Sequence, residues 1–415
     1  MPFFTVSKEQ LLSDLERVHN MMHKPKRGKR IEHTRWDFEH HLETELPKLC
    51  NELYNRTYRP SANLVFISHK GGRHREVFSA HFRDRVVHRL YYEYTHKLYE
   101  SSFIGDSYSG MKGRGTLFGV KRLQHHCAGE SNNYKEPCYI LRLDIKGYFM
   151  HINRATLKSI CLRKLDKLKG KLYDGKPWYA THDYELVKFL TCVFCDAVPT
   201  ANCYKRGTKE EWAMVPREKS LFYSPAGIGL PVGSLVSQLF ANIYLNEFDQ
   251  YCKRVLKCRR YGRYVDDAYI VYRDREHLKA LLPKMRQFLK DRLGLELHPT
   301  KTCITNLKDG VLFLGGFIKP WRMYVSSVTV KRMRKNLKEI DVKNTSLRQL
   351  RLRLSSFSAV YKPFNSKNVR KDVLNNSNDK LCEVGYFVQN YRIFHIYQSY
   401  EREYKERKKQ KNSVQ

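Results

Sequence analysis

Two adjacent acids between apolar neighbours, Asp266 and Asp267, constrain this chain more than any other feature. They lie within the segment Arg263 to Val271, whose aromatic and β-branched residues predict β-strand. Burying two carboxylates between such strands costs free energy unless a cation pairs with them, and a divalent metal ion is a natural partner. An isolated Asp-Asp pair is more often an exposed hairpin turn, so a metal site requires a further acid in similar surroundings.

A third acid, Asp144, ends the apolar run from Tyr139 to Leu143 and is followed by a turn. This pattern again predicts a strand. From adjacent strands, Asp144 and Asp266 could converge on two Mg²⁺ ions roughly 4 Å apart, which activate a 3′-hydroxyl and stabilise a leaving pyrophosphate. Mg²⁺ suits such a site because one or two carboxylates bind it while substrate phosphates and waters complete its octahedron. The sequence therefore predicts two Mg²⁺ ions as cofactors, with Mn²⁺ as the alternative.

The net charge of the 415-residue chain is +35, from 77 basic and 42 acidic residues. This is more than solubility needs, so it indicates a large anionic partner, and nucleic acid fits best. A membrane surface is the alternative, but no apolar run approaches the roughly 20 residues of a spanning helix. The segment Met1 to Thr5 also lacks the basic start and apolar stretch of a signal peptide. We therefore expect no membrane partner.

The eleven cysteines are an odd number in a long chain, which argues against a disulfide framework and favours a reducing cytoplasm. Cys192 and Cys195 have the spacing of a zinc-ligand pair, and Cys203 and His182 are nearby in sequence, but no second matched pair follows. Because the stretch around Cys192 is apolar with a helical period, buried thiols are favoured over zinc.

Hydrophobic spacing predicts helices over residues 6–56, a strand pair over 57–80 and a further helix over 81–100. From about residue 326 the chain is helical and more basic, and its charged tail, 405–411, is expected to fray.

Two further segments are considered as sites of contact or ligation. The loop from Lys24 to Arg30 either contacts RNA or is a solvated surface loop. The pair His125-His126 predicts a surface turn rather than a set of ligands.

The order of short motifs across residues 55–325 resembles that of reverse transcriptases. The motifs are Arg59-Pro60, Lys70 to Val77, Asp144 to Phe149, Leu230 to Gln238, Tyr264 to Asp267, Leu297 to Thr302, and Phe313 to Gly316. Each shorter motif is weak alone, but the joint order and spacing are specific. The resemblance implies an α+β fold, a right-hand polymerase with fingers, an antiparallel-sheet palm and a helical thumb. It also implies three parts: an N-terminal helical extension over 1–56, fingers and palm over 57–325, and a helical basic thumb and tail over 326–415.

Two stretches resemble the reverse transcriptases of diversity-generating retroelements in particular. One runs from Asp106 to Thr116, and the other from Gly233 to Gln238 into the apolar residues 239–245. Val232 stands where most other reverse transcriptases have Gln, and an aliphatic residue is usual in this group. The resemblance implies error-prone, adenine-mutagenic cDNA synthesis from a template-repeat RNA. The implied partners are that RNA, the RNA/cDNA hybrid, dNTPs and a small basic accessory protein that oligomerises.

The same resemblance assigns roles to individual residues. The implied metal site consists of Asp144, Ile145, Asp266 and Asp267, and Lys301 would be a catalytic proton donor or an electrostatic aid. The implied nucleotide site consists of Lys70, Arg75, Ile145, Phe149, Val232 and Gln238. The implied primer grip consists of Phe313, Leu314, Gly315 and Gly316. Phe149 would exclude a ribose 2′-hydroxyl, and Val232 would relax fidelity because it offers no hydrogen-bonding group. The alternatives are a core residue for Phe149, a packing residue for Val232 and a solvated strand-end lysine for Lys301.

Two other functions remain open at this stage. A group II intron maturase would add a maturation domain, for which there is little room, and a retron enzyme usually carries Val-Thr-Gly where this chain has Val328-Thr329-Val330. A catalytically idle RNA-binding protein is a different class, and the three intact acids argue against it.

Overall fold

The structure is a computed structural model, and it describes residues 4–22, 33–69, 74–342, 344–361, 363–376, 381–388 and 393–413. The chain forms two compact units. Unit 1 comprises Met1–Gly113, Arg142–Ile270 and Glu276–Cys303, and unit 2 comprises Arg114–Leu141, Val271–Arg275 and Ile304–Gln415. The three-part division inferred from the sequence stays a prediction.

The helices are numbered in chain order. They are α1 (Lys8–Met22), α2 (His33–His40), α3 (Leu42–Tyr54), α4 (Phe82–Glu100), α5 (Thr116–Glu130), α6 (Tyr148–His151), α7 (Arg154–Leu168), α8 (Tyr184–Asp196), α9 (Lys209–Ala213), α10 (Leu235–Gln250), α11 (Arg275–Leu293), α12 (Ser327–Lys338), α13 (Leu347–Tyr361), α14 (Lys367–Asn375), α15 (Leu381–Val384) and α16 (Gln398–Ser413).

The strands follow the same convention. They are β1 (Asn63–Ser68), β2 (Arg75–Ser79), β3 (Tyr139–Asp144), β4 (Leu172–Tyr173), β5 (Lys176–Pro177), β6 (Cys203–Lys205), β7 (Tyr261–Tyr264), β8 (Asp267–Tyr272), β9 (Cys303–Asn306), β10 (Val311–Phe313), β11 (Gly316–Lys319), β12 (Arg322–Val325), β13 (Gly385–Val388) and β14 (Ile393–Ile396). Helices and antiparallel pairs of strands together confirm the predicted α+β class.

The predicted N-terminal helices and strand pair are confirmed. Helices α1, α2 and α3 occupy the segment predicted as helical. Strands β1 and β2 pair antiparallel, with Ser68 opposite Arg75. Helix α4 buries Phe82, Val86, Leu90, Tyr94 and Leu98, because residues four apart lie on one face of a helix.

A four-stranded sheet in the order β7-β8-β3-β9 brings the acidic motifs together. Strands β7 and β8 form an antiparallel hairpin whose last pair is Tyr264 opposite Asp267. Because β8 and β3 are neighbours, the strand end at Asp144 lies beside the turn of the β7–β8 hairpin. Residues 142–144 and 261–270, which contain the three acids, belong to unit 1.

The part of unit 2 that follows residue 326 differs from the sequence prediction in two places. Strands β13 and β14 form an antiparallel pair, with Phe387 opposite Phe394, in a region predicted as helical. The charged tail is helix α16 rather than a frayed end. Its side chain Tyr400 is buried in a cluster with Leu350 and Leu354, which explains why a helix with so many charges is held in place.

The predicted surface turn at His125-His126 is also wrong. Both residues lie in α5, where His126 is buried and its Nε2 atom lies 3.2 Å from Arg122 Nη2. The basic loop from Lys24 to Arg30 lies outside the described residues. Among the residues that are described, none of the helices has the length and apolar character needed to cross a membrane.

Candidate active site

Asp144 is the last residue of β3, and the backbone around it is tied to the segment before Lys301. The carbonyl of Asp144 accepts a hydrogen bond of 2.7 Å from His298 N, and Lys146 N donates to Glu296 O at 2.9 Å. These bonds bring Lys301 within reach, and its Nζ atom lies 3.0 Å from Asp144 Oδ2. The Asp144 side chain is 15% exposed, so this pair lies at the edge of a partly buried site.

The turn at Val265-Asp266 presents the other two carboxylates. Val265 has a φ of 54°, which is unusual for a β-branched residue. Such conformations persist where surrounding contacts enforce them, and they occur often at functional sites. Here Arg263 Nη1 donates a 2.8 Å hydrogen bond to the Val265 carbonyl, and this bond stabilises the turn.

Arg263 is itself fixed by buried acceptors. Its Nε and Nη2 atoms donate to the two carboxylate oxygens of Asp249 at 2.7 and 2.6 Å, and Tyr261 Oη donates to the same carboxylate at 2.6 Å. Arg263 Nη1 also lies 3.3 Å from Asn242 Oδ1. This network joins the acidic turn to helix α10, from which Asp249 and Asn242 project.

The three carboxylates influence one another electrostatically. Burial, followed by the charges of Asp266 and Asp144, raises the pKa of Asp267 to about 6. Burial and the Asp144 charge also raise the pKa of Asp266, while the cations of Arg75 and Lys301 oppose that shift. Three carboxylates are therefore gathered at one partly buried site, and oxygen ligands of this kind suit a divalent cation.

The carboxylates of the site suit a metal ion whose remaining ligands come from the substrate. Within the described part of the chain, no group of three or more His, Cys, Asp or Glu side chains forms a ready-made metal site. Mg²⁺ does not need one, because it is commonly bound by one or two carboxylates together with substrate phosphates and waters. Asp144 and Asp266 offer hard oxygen ligands of this kind, and Lys301 pairs with one oxygen of Asp144.

Phe149 and Val232 lie in one apolar cluster. Both are partly buried against Val65, Phe78 and Met150. The Phe149 carbonyl accepts a 2.8 Å hydrogen bond from Leu230 N, and the Val232 carbonyl accepts one of 2.8 Å from Phe78 N. The structure thus brings together two residues that are 83 positions apart in the sequence and that were predicted to contact the same nucleotide.

The remaining predicted site residues lie in different surroundings. Ile145 is 4% exposed and pairs with Leu297, while Gln238 is exposed in the first turn of α10. Lys70 lies outside the described residues. Arg75 begins β2, and its charge acts on Asp266.

The predicted primer grip belongs to unit 2. Phe313 ends β10 and Gly316 begins β11, and the two residues pair across a tight turn. The turn residues Leu314 and Gly315 have φ values of 49° and 84°, as a two-residue hairpin with the right-handed strand twist requires.

The cysteine cluster considered for zinc is dispersed. The Cys195 and Cys161 thiols are both buried. Cys203 Sγ donates to Thr200 O at 3.4 Å, and the His182 ring stacks on Trp178 with centroids 5.1 Å apart. Cys192 and Cys203 are half-buried rather than buried as predicted.

Residues 181–318 match the family described as "Reverse transcriptase (RNA-dependent DNA polymerase)". The chain contains a reverse transcriptase domain. This domain confirms the assignment as an RNA-directed DNA polymerase, whereas the right-hand arrangement of fingers, palm and thumb stays a prediction. The matched range includes Val232, Asp266, Asp267 and Lys301, and Asp144 precedes it.

Named relatives are distant. "Protein YkfC" of Escherichia coli K12 is 24% identical over 309 residues, which cover 66% of this chain and 71% of that protein. The "Putative COX1/OXI3 intron 2 protein" of Saccharomyces cerevisiae is 24% identical, over 25% of this chain and 19% of that protein. Telomerase from Candida albicans, solved with a fragment of telomeric RNA, is 10% identical with a TM-score of 0.45. That alignment covers 82% of this chain but only 60% of the telomerase chain, and it does not bear on function.

The sequence did not reveal the contacts that hold β7 and its acidic turn in place. The stretch from Asp106 to Ser109 contacts β7 directly: Arg263 N donates to Asp106 O and Tyr108 N donates to Arg263 O, each at 2.9 Å. Tyr108 Oη also lies 2.8 Å from Tyr269 Oη. An arginine inside an otherwise apolar strand was the signal that could have found this network, because a buried cation requires partners.

Proposed function

We propose that the protein is the reverse transcriptase of a diversity-generating retroelement, which copies a template-repeat RNA into error-prone, adenine-mutagenic cDNA. The observation that carries the catalytic part is the juxtaposition of Asp144, Asp266 and Asp267 with Lys301. The retroelement subtype is supported by the motif resemblance and by Val232 beside Phe149.

In this proposal Asp144 and Asp266 hold two Mg²⁺ ions, with Asp267 as the weaker third ligand and Ile145 at the edge of the site. When bound, such ions activate the primer 3′-hydroxyl and stabilise the leaving pyrophosphate. Arg75 and Lys70 bind the triphosphate of the incoming dNTP, since cations stabilise charge that develops on the leaving group. Lys301 Nζ supplies a proton to pyrophosphate or stabilises it electrostatically.

Selectivity depends on the apolar cluster. The ring of Phe149 occupies the space of a ribose 2′-hydroxyl and so favours deoxynucleotides. Val232 places a methyl surface where a polar side chain could penalise a distorted base pair. The turn from Phe313 to Gly316 holds the primer backbone, and glycine permits a close approach there.

The deciding experiment is primer extension by the purified protein, with Mg²⁺, on an RNA template that contains all four bases, followed by sequencing of the products. Errors concentrated opposite template adenines are expected. The Asp266→Asn, Asp267→Asn double variant should lose synthesis but retain RNA binding, whereas Asp37→Asn, an exposed change on α2, should behave as wild type.

Three outcomes separate the alternatives. Evenly low errors would leave a reverse transcriptase but contradict the retroelement subtype and favour an intron or retron enzyme. Synthesis that survives in the double variant would contradict the assignment of the acids. If synthesis requires an added small basic protein, the accessory partner is supported, and Mg²⁺-dependent dNTP binding by the chain alone then tests the site without turnover.

A further inference from the structure

The loop end of the β1–β2 hairpin carries two histidines that face each other. The last pair of these strands is Ser68 opposite Arg75, so His69 and His74 are the next residues along the two chains. Their Nδ1 atoms lie 2.9 Å apart, and their ring centroids are 5.0 Å apart. Both residues belong to unit 1, and neither takes part in the chemistry proposed above.

The spacing and exposure of the pair suit a metal ion. Four residues separate His69 from His74 in the sequence, and paired histidine ligands in zinc sites are typically three to five residues apart. The side chain of His69 is 44% exposed, so an ion in solution can reach it. The hairpin therefore presents two imidazoles together at an accessible position.

The distance between the two nitrogens fits a shared ion. Metal–imidazole bonds are about 2.0–2.1 Å long, so an ion bound to both nitrogens at their 2.9 Å separation would have an N–metal–N angle of about 90°. This is the angle between neighbouring ligands in the square-planar or octahedral geometry that Cu²⁺ and Ni²⁺ adopt. Tetrahedral Zn²⁺ would require the nitrogens to be roughly 3.4 Å apart, which is a small widening of the gap.

Glu211 orients the ring of His69. Its Oε1 atom lies 3.3 Å from His69 Nε2, so with the proton on Nε2 the lone pair of Nδ1 is left for a ligand-binding role. The carboxylate is itself fixed at the start of α9, because its Oε2 atom accepts a 3.1 Å hydrogen bond from Thr208 N. Histidines that bind metals usually donate their other ring N–H to such a partner.

The chemistry of the pair selects the class of ion. Imidazole nitrogen suits Zn²⁺, Ni²⁺ and Cu²⁺, whereas Mg²⁺ prefers oxygen ligands. Within the described ranges no third His, Cys, Asp or Glu side chain completes the set, so water would supply the remaining ligands. In the absence of such an ion, one Nδ1 proton fills the gap as a hydrogen bond between the two rings.

We propose that His69 and His74 bind one divalent transition metal ion of the Zn²⁺, Ni²⁺ and Cu²⁺ group through their Nδ1 atoms, with Glu211 as the orienting partner. The ion joins the two ends of the segment 70–73, which contains Lys70. This site is distinct from the proposed Mg²⁺ site, and it does not depend on the proposed function.

The test is calorimetric titration of the untagged full chain with Ni²⁺ in the presence of excess Mg²⁺, without nucleic acid or dNTP. Wild type should bind Ni²⁺ at a site that Mg²⁺ does not occupy. The His69→Gln, His74→Gln double variant should lose that site, because glutamine has no imidazole nitrogen. The melting temperature should rise with Ni²⁺ in wild type but not in the double variant, since an ion that binds the folded state stabilises it.

Two matched controls locate the site. The His40→Gln, His41→Gln variant removes another exposed histidine pair of unit 1, with ring centroids 4.9 Å apart, and it should keep wild-type Ni²⁺ binding. Glu211→Gln should weaken binding about 10–100-fold, the usual cost of losing a partner behind a metal ligand. Glutamine can replace glutamate in the capping box of α9, so that helix start should be preserved. Glu210→Gln, at the exposed neighbouring carboxylate, should have no effect.

Two results would overturn the proposal. Equal Ni²⁺ affinity in wild type and in the His69→Gln, His74→Gln variant would show that the pair holds only a proton. An equal loss in the His40→Gln, His41→Gln control would show nonspecific binding by surface imidazoles. Melting temperatures without metal verify that the variants are folded. Because no step requires synthesis, Ni²⁺ binding without primer extension would contradict the proposed polymerase alone, and primer extension without Ni²⁺ binding would contradict this site alone.

Discussion

Arg263 and Asp249 form a bidentate ion pair in which both side chains are almost completely buried. The pair lies directly beneath the acidic turn, since the same guanidinium donates to the Val265 carbonyl. A buried pair of this kind contributes little net stability against an apolar replacement, but it is costly to break. We therefore infer that the main effect of the pair is to fix the position of the turn that carries Asp266 and Asp267.

Arg263→Met should lower the free energy of unfolding by about 3–5 kcal/mol, because Asp249 is left buried without its cation. The double variant Arg263→Met, Asp249→Leu should recover part of that loss, because no unpaired charge remains although Tyr261 Oη loses its acceptor. Synthesis should stay low, since nothing then holds the Val265 carbonyl. Chemical unfolding and primer extension measure the two effects separately. Full activity in the stable double variant would show that the pair does not position the turn.

Close packing requires a glycine at position 262, which the sequence alone did not reveal. A Cβ atom there would collide with Tyr108 Oη and lie 2.7 Å from Tyr269 Oη. We expect Gly262→Ala to destabilise unit 1 by about 1–3 kcal/mol, the usual cost of overpacking. Gly105→Ala is the matched control, since no atom lies within 4 Å of its added Cβ. Equal melting temperatures for the two variants would contradict this packing argument.

Much of the fold and the acidic site followed from local patterns. The runs that end at Asp144 and flank Asp266 are apolar and rich in aromatic and β-branched residues, as strands are, and helix α4 shows its buried face in its spacing. The Arg263–Asp249 pair did not follow, because its geometry depends on how α10 packs behind β7. Likewise α16 is held by burial of Tyr400 against residues that lie about 50 positions earlier in the chain, a contact that charge composition does not encode.

Phe149→Ala should admit ribonucleotides, because the ring that excludes a 2′-hydroxyl is removed. The preference for dNTP over NTP should fall on the order of tenfold to a hundredfold, the range of a lost steric contact. Single-nucleotide incorporation with matched dNTP and NTP pairs measures it. Phe222→Ala is the control, since Phe222 is partly buried in the same cluster and stacks on Phe78. Unchanged sugar preference in Phe149→Ala, or an equal change in the control, would reject this role.

The Lys301→Ala variant tests whether Lys301 takes part in catalysis or is only a solvated surface lysine. The lysine side chain is 54% exposed, so loss of its pair with Asp144 should change stability by less than about 0.5 kcal/mol. If Lys301 gives a proton to pyrophosphate, the rate of chemistry should fall by about 10²–10⁴-fold in single-turnover assays. Lys301→Arg keeps the charge but donates a proton poorly, so rescue by arginine would favour the electrostatic role. Lys308→Ala is the control, because Lys308 is also an exposed lysine. A wild-type rate in Lys301→Ala would show that Lys301 is only a solvated lysine.

Val232→Gln should make synthesis more accurate. The backbone at this position is fixed by the hydrogen bond from Phe78 N, which does not involve the side chain, so the substitution changes chemistry more than geometry. Glutamine adds a donor and an acceptor beside the nascent pair, and groups that bond only to a correctly shaped pair raise discrimination.

Errors per template base, counted by sequencing of the products, should fall several-fold in Val232→Gln, with the largest fall wherever the wild type errs most. Val232→Ala is the control for lost volume, because it removes methyl groups without adding a polar group, and it should keep the wild-type error pattern. If alanine lowers errors as much as glutamine does, packing rather than hydrogen bonding sets fidelity at this position. If neither variant changes the pattern, Val232 is only a packing residue, and the relaxed fidelity must come from elsewhere in the site.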